Sequence, residues 1–278
     1  MKIHALTLTW NGKEKLQALR KGFCTNLLKL QNEGIKTAVW RIRDNGSKDG
    51  TINELNSWIF KGDCPISPIV HDISHNRDSF ARGINYLFEK ADPDDNDIIL
   101  LLNNDVVFND DDSLSKMYRL MKKTNAAVVG ARLLYSNTTK LQHAGVIFSE
   151  RYGRMPYHFR PGEESDANAE KDRYFQAVTA AVCLVKASSF RRIEGLDEGY
   201  RWAFEDIDMC LEIGKTEKIA YCGKTKIFHE ESASLKKNPV NKMFLQSNIK
   251  HFKDKWSNNY TIDHDLYLKN ANYNVINA

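Results

Sequence analysis

The chain has 278 residues, and its 40 basic and 36 acidic side chains leave a net charge of only +4. This near balance argues against a dedicated nucleic-acid-binding protein, while a hydrophobic content of 42% is enough for a sizeable core. The five cysteines are scattered, odd in number and without a CxxC pair, which predicts reduced thiols in a cytosolic protein.

Strands and helices alternate over residues 1–125. HALTLTWN alternates apolar residues with threonines, as a strand does, and Asn11 is the predicted N-cap of a helix that ends at Gly34. KTAVWRIRDN predicts a second strand that runs through NGSKDGT into a helix, SPIVHDISHN is extended, and SFARGINYLFEK is helical. DIILLL is a continuous apolar run, typical of a strand buried on both faces of a parallel sheet, and a further helix begins at about Ser113. The alternation predicts the α/β class.

The second half of the chain has a less regular pattern. AAVVGARLLY and HAGVIF favour strands, whereas residues 149–173 are polar and predict a long loop. AVTAAVCLVKASSF predicts a strand followed by a helix, and KIAYCGKTKIFH contains one or two strands. PVNKMFLQSNIKHFKDKW predicts an amphipathic helix near the C-terminus.

Polar side chains follow three of the predicted strands at the point where each strand ends. They are Thr9 with Asn11, the run Asp44-Asn45-Gly46-Ser47, and the run Asn103-Asn104-Asp105. Because ligands of an open parallel sheet bind at the carboxyl ends of its strands, we expect these side chains to share one site.

Two of these acids have both a structural and a functional interpretation. Asp105 lies beside amide oxygens, which suits a hard cation such as Mg²⁺ or Mn²⁺, but an aspartate there also caps a turn. Asp44 either satisfies backbone N–H groups of its turn or accepts the imide N–H of uracil or thymine.

Two segments of the second half also carry candidate chemistry. His229 ends the strand KTKIFH and is either structural or a metal ligand. FEDIDMC places Glu205, Asp206 and Asp208 among apolar side chains at a predicted helix start. The helix macrodipole favours acids there, and a carboxylate held in a cleft is alternatively a general base.

Taken in order, these motifs resemble family-2 glycosyltransferases with the GT-A fold. The matching segments are TLTWN, RDNGSKDGT, NRDSFARGINYLF, LLLNNDVVF, GLDEGYRWAFEDIDMCLEI, FHEESASL and the KW of FKDKW. The resemblance spans about residues 3–256 and is nearest the rhamnosyltransferase-like bacterial branch. It implies a Rossmann-like, mostly parallel central sheet with flanking helices and a smaller acceptor-side subregion.

The resemblance also implies one glycosyltransferase domain over residues 1–278. Within it, about 1–125 form the nucleotide-binding half, about 126–235 form the acceptor-binding half, and 236–278 form a C-terminal helix and tail.

The family pattern implies roles for individual residues of this chain. Asp206 matches the catalytic base, with Glu205 beside it near the acceptor, and Trp202 is a sugar-stacking face. Asp105 and His229 match the holders of Mn²⁺ or Mg²⁺. Asn103 stands where the family usually has the first acid of its DxD motif, which leaves fewer acidic ligands. The implied nucleotide-binding residues are Thr9, Asn11, Asp44, Asn45, Ser47, Asn76, Arg82, Asn85, Asn103 and Asn104.

The implied activity is an inverting transfer of a sugar from a UDP- or dTDP-sugar to a hydroxyl of a glycan or lipid-linked glycan, in surface polysaccharide biosynthesis. Two alternatives are a non-catalytic nucleotide-sugar-binding domain of a glycan assembly complex and a nucleotidyltransferase. The latter typically carries a Gly-rich basic phosphate loop near the N-terminus, where this chain has LTWNGKEKL with a single glycine.

A cytoplasmic location is expected from the sequence. No stretch approaches the roughly 20 apolar residues of a membrane helix, and MKIHALTLTW is too short and polar for a signal peptide. The basic, aromatic C-terminal helix either touches the inner membrane face or packs on the core with a solvated lysine face.

Overall fold

The computed structural model describes residues 1–35, 37–58, 64–72, 78–201, 203–230, 240–257 and 259–277. Its first half has the predicted alternation of strands and helices. The elements are β1 (Ile3–Thr9), α1 (Lys13–Gln31), β2 (Ala38–Asp44), α2 (Thr51–Trp58), β3 (Pro68–Asp72), α3 (Phe80–Ala91), β4 (Ile98–Leu102), β5 (Val106–Phe108) and α4 (Ser113–Thr124).

The second half adds shorter strands and four more helices within the described ranges. KIAYCGKTKIFH forms one long strand, which is the last strand of the sheet in chain order. The elements are β6 (Val128–Tyr135), β7 (Leu141–His143), β8 (Val146–Phe148), β9 (Pro156–His158), β10 (Arg173–Tyr174), β11 (Val182–Lys186), α5 (Ala187–Arg192), α6 (Glu205–Gly214), β12 (Ile219–His229), α7 (Val240–Trp256) and α8 (His264–Lys269).

One mixed sheet organises the fold, in the order β10-β12-β6-β11-β4-β1-β2-β3. Strands β3, β2, β1 and β4 are parallel, and β6 pairs parallel with β12. The strand β11 runs antiparallel between β4 and β6, so both parallel groups point the same way. The carboxyl ends of β1, β2 and β4 therefore lie side by side, close to the end of β12.

Strand β4 is buried on both faces, as its apolar run predicted. Ile99 and Leu101 belong to the hydrophobic cluster on one face of the sheet, with α3 and α6. Ile98, Leu100 and Leu102 belong to the cluster on the other face, with α1, α2 and α4. Because successive side chains of a strand point to opposite faces, a sheet covered on both faces requires such a continuous run.

Two local predictions were wrong. Gly12, not Asn11, is the N-cap residue of α1, and the Asn11 side chain instead accepts a hydrogen bond from Lys48 N at 2.8 Å. The polar segment 149–173 contains β9, which pairs antiparallel with β8 and forms a hairpin. Polarity alone does not reveal this strand, because its side chains are largely exposed.

The C-terminal helix packs on the core, with Phe252 and Trp256 both buried. This is the second of its two sequence interpretations; membrane contact stays an untested prediction. In the part of the chain that the structure describes, no helix is long and apolar enough to cross a bilayer.

The cysteine prediction was wrong for two of the five residues. Cys24 on α1 and Cys64 before β3 form a disulfide across 40 residues, with Cα atoms 5.2 Å apart. The other three cysteines are free and buried. Because disulfides are rare in cytosolic proteins, the cysteines no longer support the expected cytoplasmic location.

Candidate active site

The polar strand ends meet at one edge of the sheet, as predicted. Thr9 stands at the centre, because β1 lies between β2 and β4. Its carbonyl accepts a hydrogen bond from Asn45 N at 2.8 Å, and its hydroxyl accepts one from the Asn104 amide at 2.8 Å. Three segments distant in sequence therefore form one polar edge.

Asp44 is buried, and its carboxylate organises the turn that follows β2. It accepts hydrogen bonds from Gly46 N at 3.0 Å, from Ser47 N at 2.8 Å and from the Ser47 hydroxyl. Ser47 Oγ in turn accepts one from Asn11 N at 2.7 Å. The structure thus shows the turn role of Asp44, whose nucleotide-binding role stays a prediction, and Asn11 and Ser47 tie the β1 and β2 ends together.

Asn45 is also buried, and its amide is only half satisfied. Its Nδ2 donates to Asp78 O at 3.2 Å, whereas its Oδ1 has no hydrogen-bond partner. A buried acceptor of this kind is unfavourable unless a ligand or water meets it.

Gly12 makes close packing possible at this edge. A Cβ atom there would lie 2.5 Å from Thr9 Oγ1 and 2.6 Å from Asn104 Nδ2. Any side chain would therefore displace the hydrogen bond that joins the ends of β1 and β4.

Asp105 and His229 lie together, as the metal hypothesis requires. Asp105 Oδ1 is 3.2 Å from His229 Nε2, and Lys15 Nζ on α1 is 3.4 Å from Asp105 Oδ2. The pairing of β5 with β12 brings the two residues together. Burial alone would raise the pKa of Asp105, but the hydrogen bonds and charges of His229 and Lys15 outweigh it and hold that pKa below its ordinary value.

The contacts of the His229 ring define its tautomer. Gln142 Nε2 donates to the His229 carbonyl at 3.2 Å, which turns Gln142 Oε1 toward His229 Nδ1 at 2.6 Å. Nδ1 therefore carries a proton, and Asn103 Nδ2 lies 3.4 Å from Nε2. The Nε2 lone pair then faces both the Asn103 amide and a carboxylate oxygen of Asp105, and a cation between Nε2 and that oxygen would bind to both.

Asp105 and His229 fit a divalent cation, although two side chains are a small set of ligands. Imidazole nitrogen and carboxylate oxygen suit Mn²⁺. The Gln142 contact orients His229, as groups hydrogen-bonded to a ligand histidine do in metal sites. Among the described residues, no group of three or more His, Cys, Asp or Glu side chains could hold a metal. Remaining coordination positions would therefore fall to amide oxygens, water or a substrate.

The acid pair begins α6 after an unusual backbone turn. Ala203 and Phe204 both have positive φ angles, 64° and 77°, which residues with a Cβ atom rarely adopt. Glu205 is 9% exposed, and its Oε2 has no hydrogen-bond partner. Burial, with a smaller contribution from the neighbouring Asp206 charge, raises the pKa of Glu205 to about 8.

Asp206 and Asp208 have different surroundings from Glu205. Asp206 Oδ2 accepts a hydrogen bond from Ala180 N at 3.1 Å, which orients the carboxylate. Asp208 points away and braces α7, accepting hydrogen bonds from Lys255 Nζ at 2.8 Å and Trp256 Nε1 at 2.7 Å. Burial raises the pKa of Asp208, against the opposing effect of these two donors.

A single cavity of about 360 Å³ joins the two groups of candidate residues. Asn103 and His229 line it from the strand ends, and Glu205 and Asp206 line it from α6. The rest of the lining comes mainly from β7, the β8–β9 hairpin and the segment 179–181.

Arg82 and Asn85 contact the segment that leads into α6, not the polar strand edge. The Asn85 amide donates to Leu196 O at 2.8 Å and accepts from Leu196 N at 2.8 Å. Glu198 accepts hydrogen bonds from both Arg82 and Asn85, each at 3.1 Å. Their nucleotide-binding role stays a prediction. Asn76 and Trp202 lie outside the described residues.

Sequence reasoning missed three residues of this site. Lys15 lies on an ordinary helical face, and Gln142 and His143 lie on a strand three residues long. His143 is buried, and burial lowers the pKa of its imidazole well below the ordinary value, so the ring is neutral. Only the pairing of β7 with β6 brings the last two to the cavity.

Comparisons with known proteins identify the family of this chain. The sequence model "Glycosyl transferase family 2" matches residues 40–187. An uncharacterized protein, y4gI, of Sinorhizobium fredii is 29% identical over 155 residues, which are 52% of this chain and 17% of that protein. The O-antigen biosynthesis protein RfbC of Myxococcus xanthus is 25% identical over 134 residues, 46% of this chain and 10% of that protein. The chain thus spans under a fifth of the length of either relative.

Solved structures share the fold at low sequence identity. TarS 1-349 of S. aureus in complex with UDP has a TM-score of 0.58 at 12% identity, over 98% of this chain and 79% of that one. GalNAc-T7 with UDP, GalNAc and Mn²⁺ has a TM-score of 0.65 at 12% identity, over 86% and 45%. The mannosyltransferase PcManGT of Pyrobaculum calidifontis, with GDP-Man and Mn²⁺, has a TM-score of 0.64 at 10% identity, over 92% and 64%.

These likenesses identify the sheet and its flanking helices as a GT-A fold. The family match starts in β2 and ends at the start of α5, so it includes the Asp44 turn and the Asn103–Asp105 run. It covers more than half of the chain, and the chain therefore belongs to glycosyl transferase family 2.

Proposed function

We propose that this chain transfers a sugar from a UDP- or dTDP-sugar to a hydroxyl of a glycan or lipid-linked glycan, with inversion at the anomeric carbon. The observation that carries the proposal is the shared cavity: residues beside the candidate metal pair and the acid pair of α6 face the same space. A donor diphosphate at the strand ends and an acceptor hydroxyl near α6 could then meet within it.

Asp206 is the proposed general base. Its carboxylate is oriented by Ala180 N at 3.1 Å and lines the cavity. It takes the proton of the acceptor hydroxyl while that oxygen attacks the anomeric carbon, and the bond from this carbon to the donor phosphate breaks. The nucleoside diphosphate leaves from the opposite face, so a single displacement inverts the configuration.

Glu205 complements Asp206 because its own carboxyl is held neutral at neutral pH. Its pKa of about 8, set mainly by burial, keeps it mostly protonated. A protonated carboxyl donates a hydrogen bond to a substrate oxygen, which a carboxylate cannot do. This leaves Asp206 as the base of the pair.

The strand edge is the proposed donor site. Thr9, Asn11, Asn45 and Ser47 would surround the nucleoside, and the partnerless Asn45 Oδ1 offers an acceptor for an N–H group of the base. The relatives in complex with UDP or GDP-Man support a nucleotide-sugar donor. RfbC, as an O-antigen biosynthesis protein, supports a product among surface polysaccharides.

Asp105 and His229 are the residues proposed to hold Mn²⁺ or Mg²⁺. Their facing lone pairs, 3.2 Å apart, support this role, as do the relatives with Mn²⁺. When bound, such a cation would neutralise charge that develops on the departing diphosphate. Lys15 contributes a further positive charge, since its ammonium lies 3.4 Å from Asp105.

Exchange of the base tests the proposal. Asp206→Asn should lower sugar transfer by about 10²- to 10⁴-fold, the usual contribution of general-base catalysis, while nucleotide binding is retained. Glu205→Gln is the matched control, because glutamine keeps the shape and a hydrogen-bond donor, and it should retain most activity. Equal losses in the two variants, or loss of nucleotide binding in Asp206→Asn, would show that the base is misassigned.

A further inference from the structure

A row of aromatic rings lies at the rim of the cavity. The rings of Tyr152 and Tyr157, here called the tyrosine pair, are stacked with centroids 4.4 Å apart and planes 23° apart. His264 continues the row, with its ring 6.5 Å from Tyr152. Tyr157 is at the other end and lines the cavity.

The tyrosine pair is exposed although it is aromatic. Tyr152 is 46% and Tyr157 is 40% exposed. The buried Tyr267, by contrast, stacks against Phe175 within the core. Two stacked rings left in solvent beside a polar cavity form a flat apolar surface that a ligand can cover.

The chain holds this pair in place from behind. Tyr157 belongs to β9, which pairs with β8, and all three residues of β8 are buried. Ser149 Oγ lies 3.0 Å from His264 Nδ1 and fixes the ring behind Tyr152. The tyrosine pair is therefore fixed in place before a ligand binds, which reduces the entropy lost on binding.

Hydrogen bonds link the hairpin to the candidate base. Nδ1 atoms of His143 and His158 are 2.8 Å apart, and Thr179 N donates to His143 Nε2 at 3.4 Å. The next amide, Ala180 N, donates to Asp206 at 3.1 Å. A ligand on the hairpin would thus be held by the same framework that orients the base.

We propose that Tyr157, backed by Tyr152, is the stacking platform for a pyranose ring of the acceptor glycan. A pyranose has one apolar C–H face and a rim of hydroxyls, so it matches a tyrosine ring that borders polar groups. His158 and the acid pair of α6 supply those polar groups in the same cavity. The inference rests on the proposed function, because the ring is placed with the acceptor.

Binding of simple sugars tests the platform. The probes are methyl glycosides of glucose, galactose, N-acetylglucosamine and rhamnose, each titrated in the presence of UDP or dTDP and Mn²⁺ and followed by saturation-transfer NMR. Tyr157→Phe is the matched control because it keeps the ring. It should bind the preferred glycoside within about twofold of the wild type, whereas Tyr157→Ala should bind about tenfold more weakly. Tyr152→Ala should fall between them.

Two results would overturn the platform: unchanged glycoside affinity in Tyr157→Ala, or no binding of any of the four glycosides to the wild type. Thermal stabilisation by UDP and dTDP, measured on the same samples, shows whether either result refutes the platform alone or the proposed function as well. Intact nucleotide binding with either result refutes the platform alone. Absence of nucleotide binding by the wild type refutes the proposed function. Both tyrosines are exposed, so these substitutions should leave the unfolding temperature close to that of the wild type.

Discussion

Replacement of Glu205 by glutamine should change how stability depends on pH. The pKa of Glu205 is raised from 4.5 to about 8, first by burial and then by the Asp206 charge. Between these two values the folded protein keeps the Glu205 proton, whereas the unfolded chain has released it. The free energy of unfolding of the wild type therefore falls as pH rises through this window.

The expected magnitude follows from these two pKa values. From pH 5 to pH 7, the Glu205 contribution to the free energy of unfolding should decrease by roughly 2 to 3 kcal/mol. Glutamine does not titrate, so Glu205→Gln should lack this contribution. The variant should thus gain roughly 2 to 3 kcal/mol relative to the wild type over that interval.

Urea unfolding at pH 5, 6 and 7 measures the difference. Glu89→Gln is the control, because the Glu89 side chain is 75% exposed and the same chemical change there should leave the pH dependence of the wild type intact. Parallel stability curves for the wild type and Glu205→Gln would refute the reasoning. They would mean that the cavity does not favour the neutral acid, and that Glu205 is as available as Asp206 to act as a base.

Three further substitutions test separate parts of the structure. Gly12→Ala should lower nucleotide affinity at least about tenfold, because its Cβ displaces the hydrogen bond donated by Asn104. Gly214→Ala is the control, because a Cβ there makes only an ordinary contact with Ile219 Cγ1 at 3.8 Å, and equal titrations of the two variants would contradict the steric account. Asp105→Ala should reduce stabilisation by nucleoside diphosphates with Mn²⁺ but not with EDTA, and equal losses in both conditions would remove Asp105 from the metal site. Asp208→Ala should lower the free energy of unfolding by about 2 kcal/mol, because it leaves the buried Trp256 indole N–H without its acceptor, and calorimetry showing an unchanged unfolding temperature would contradict this bracing role.

Much of the fold could be predicted because its periodic segments are long. The continuous apolar run of β4 and the helical spacing of apolar residues in α1 indicate which side chains are buried, since each side chain of a strand or helix points to a defined face. The strands β7, β9 and β10 have only two or three residues each, too few for a period to appear. The Cys24–Cys64 disulfide depends on contact between distant segments, which an odd cysteine count does not reveal.

The candidate site was predictable where residue type and strand end coincide. Thr9 and Asn104 meet because the topology of parallel strands gathers their ends, and the pairing of β5 with β12 adds Asp105 and His229. Gln142 and the backbone of Ala180 were not predictable, because neither residue carries a recognisable motif and both act through hydrogen bonds set by tertiary packing. The positive φ angles that introduce α6 likewise have no signal in the sequence.

Thermal unfolding with UDP, dTDP, GDP, CDP and ADP, each with Mn²⁺ and with EDTA, tests whether this chain binds a nucleoside diphosphate through a divalent cation. A ligand that binds only the folded chain raises its unfolding temperature. The account predicts stabilisation by UDP or dTDP that requires the metal. Stabilisation that persists in EDTA would contradict the metal role of Asp105 and His229, and no stabilisation by any of the five would contradict the donor site itself.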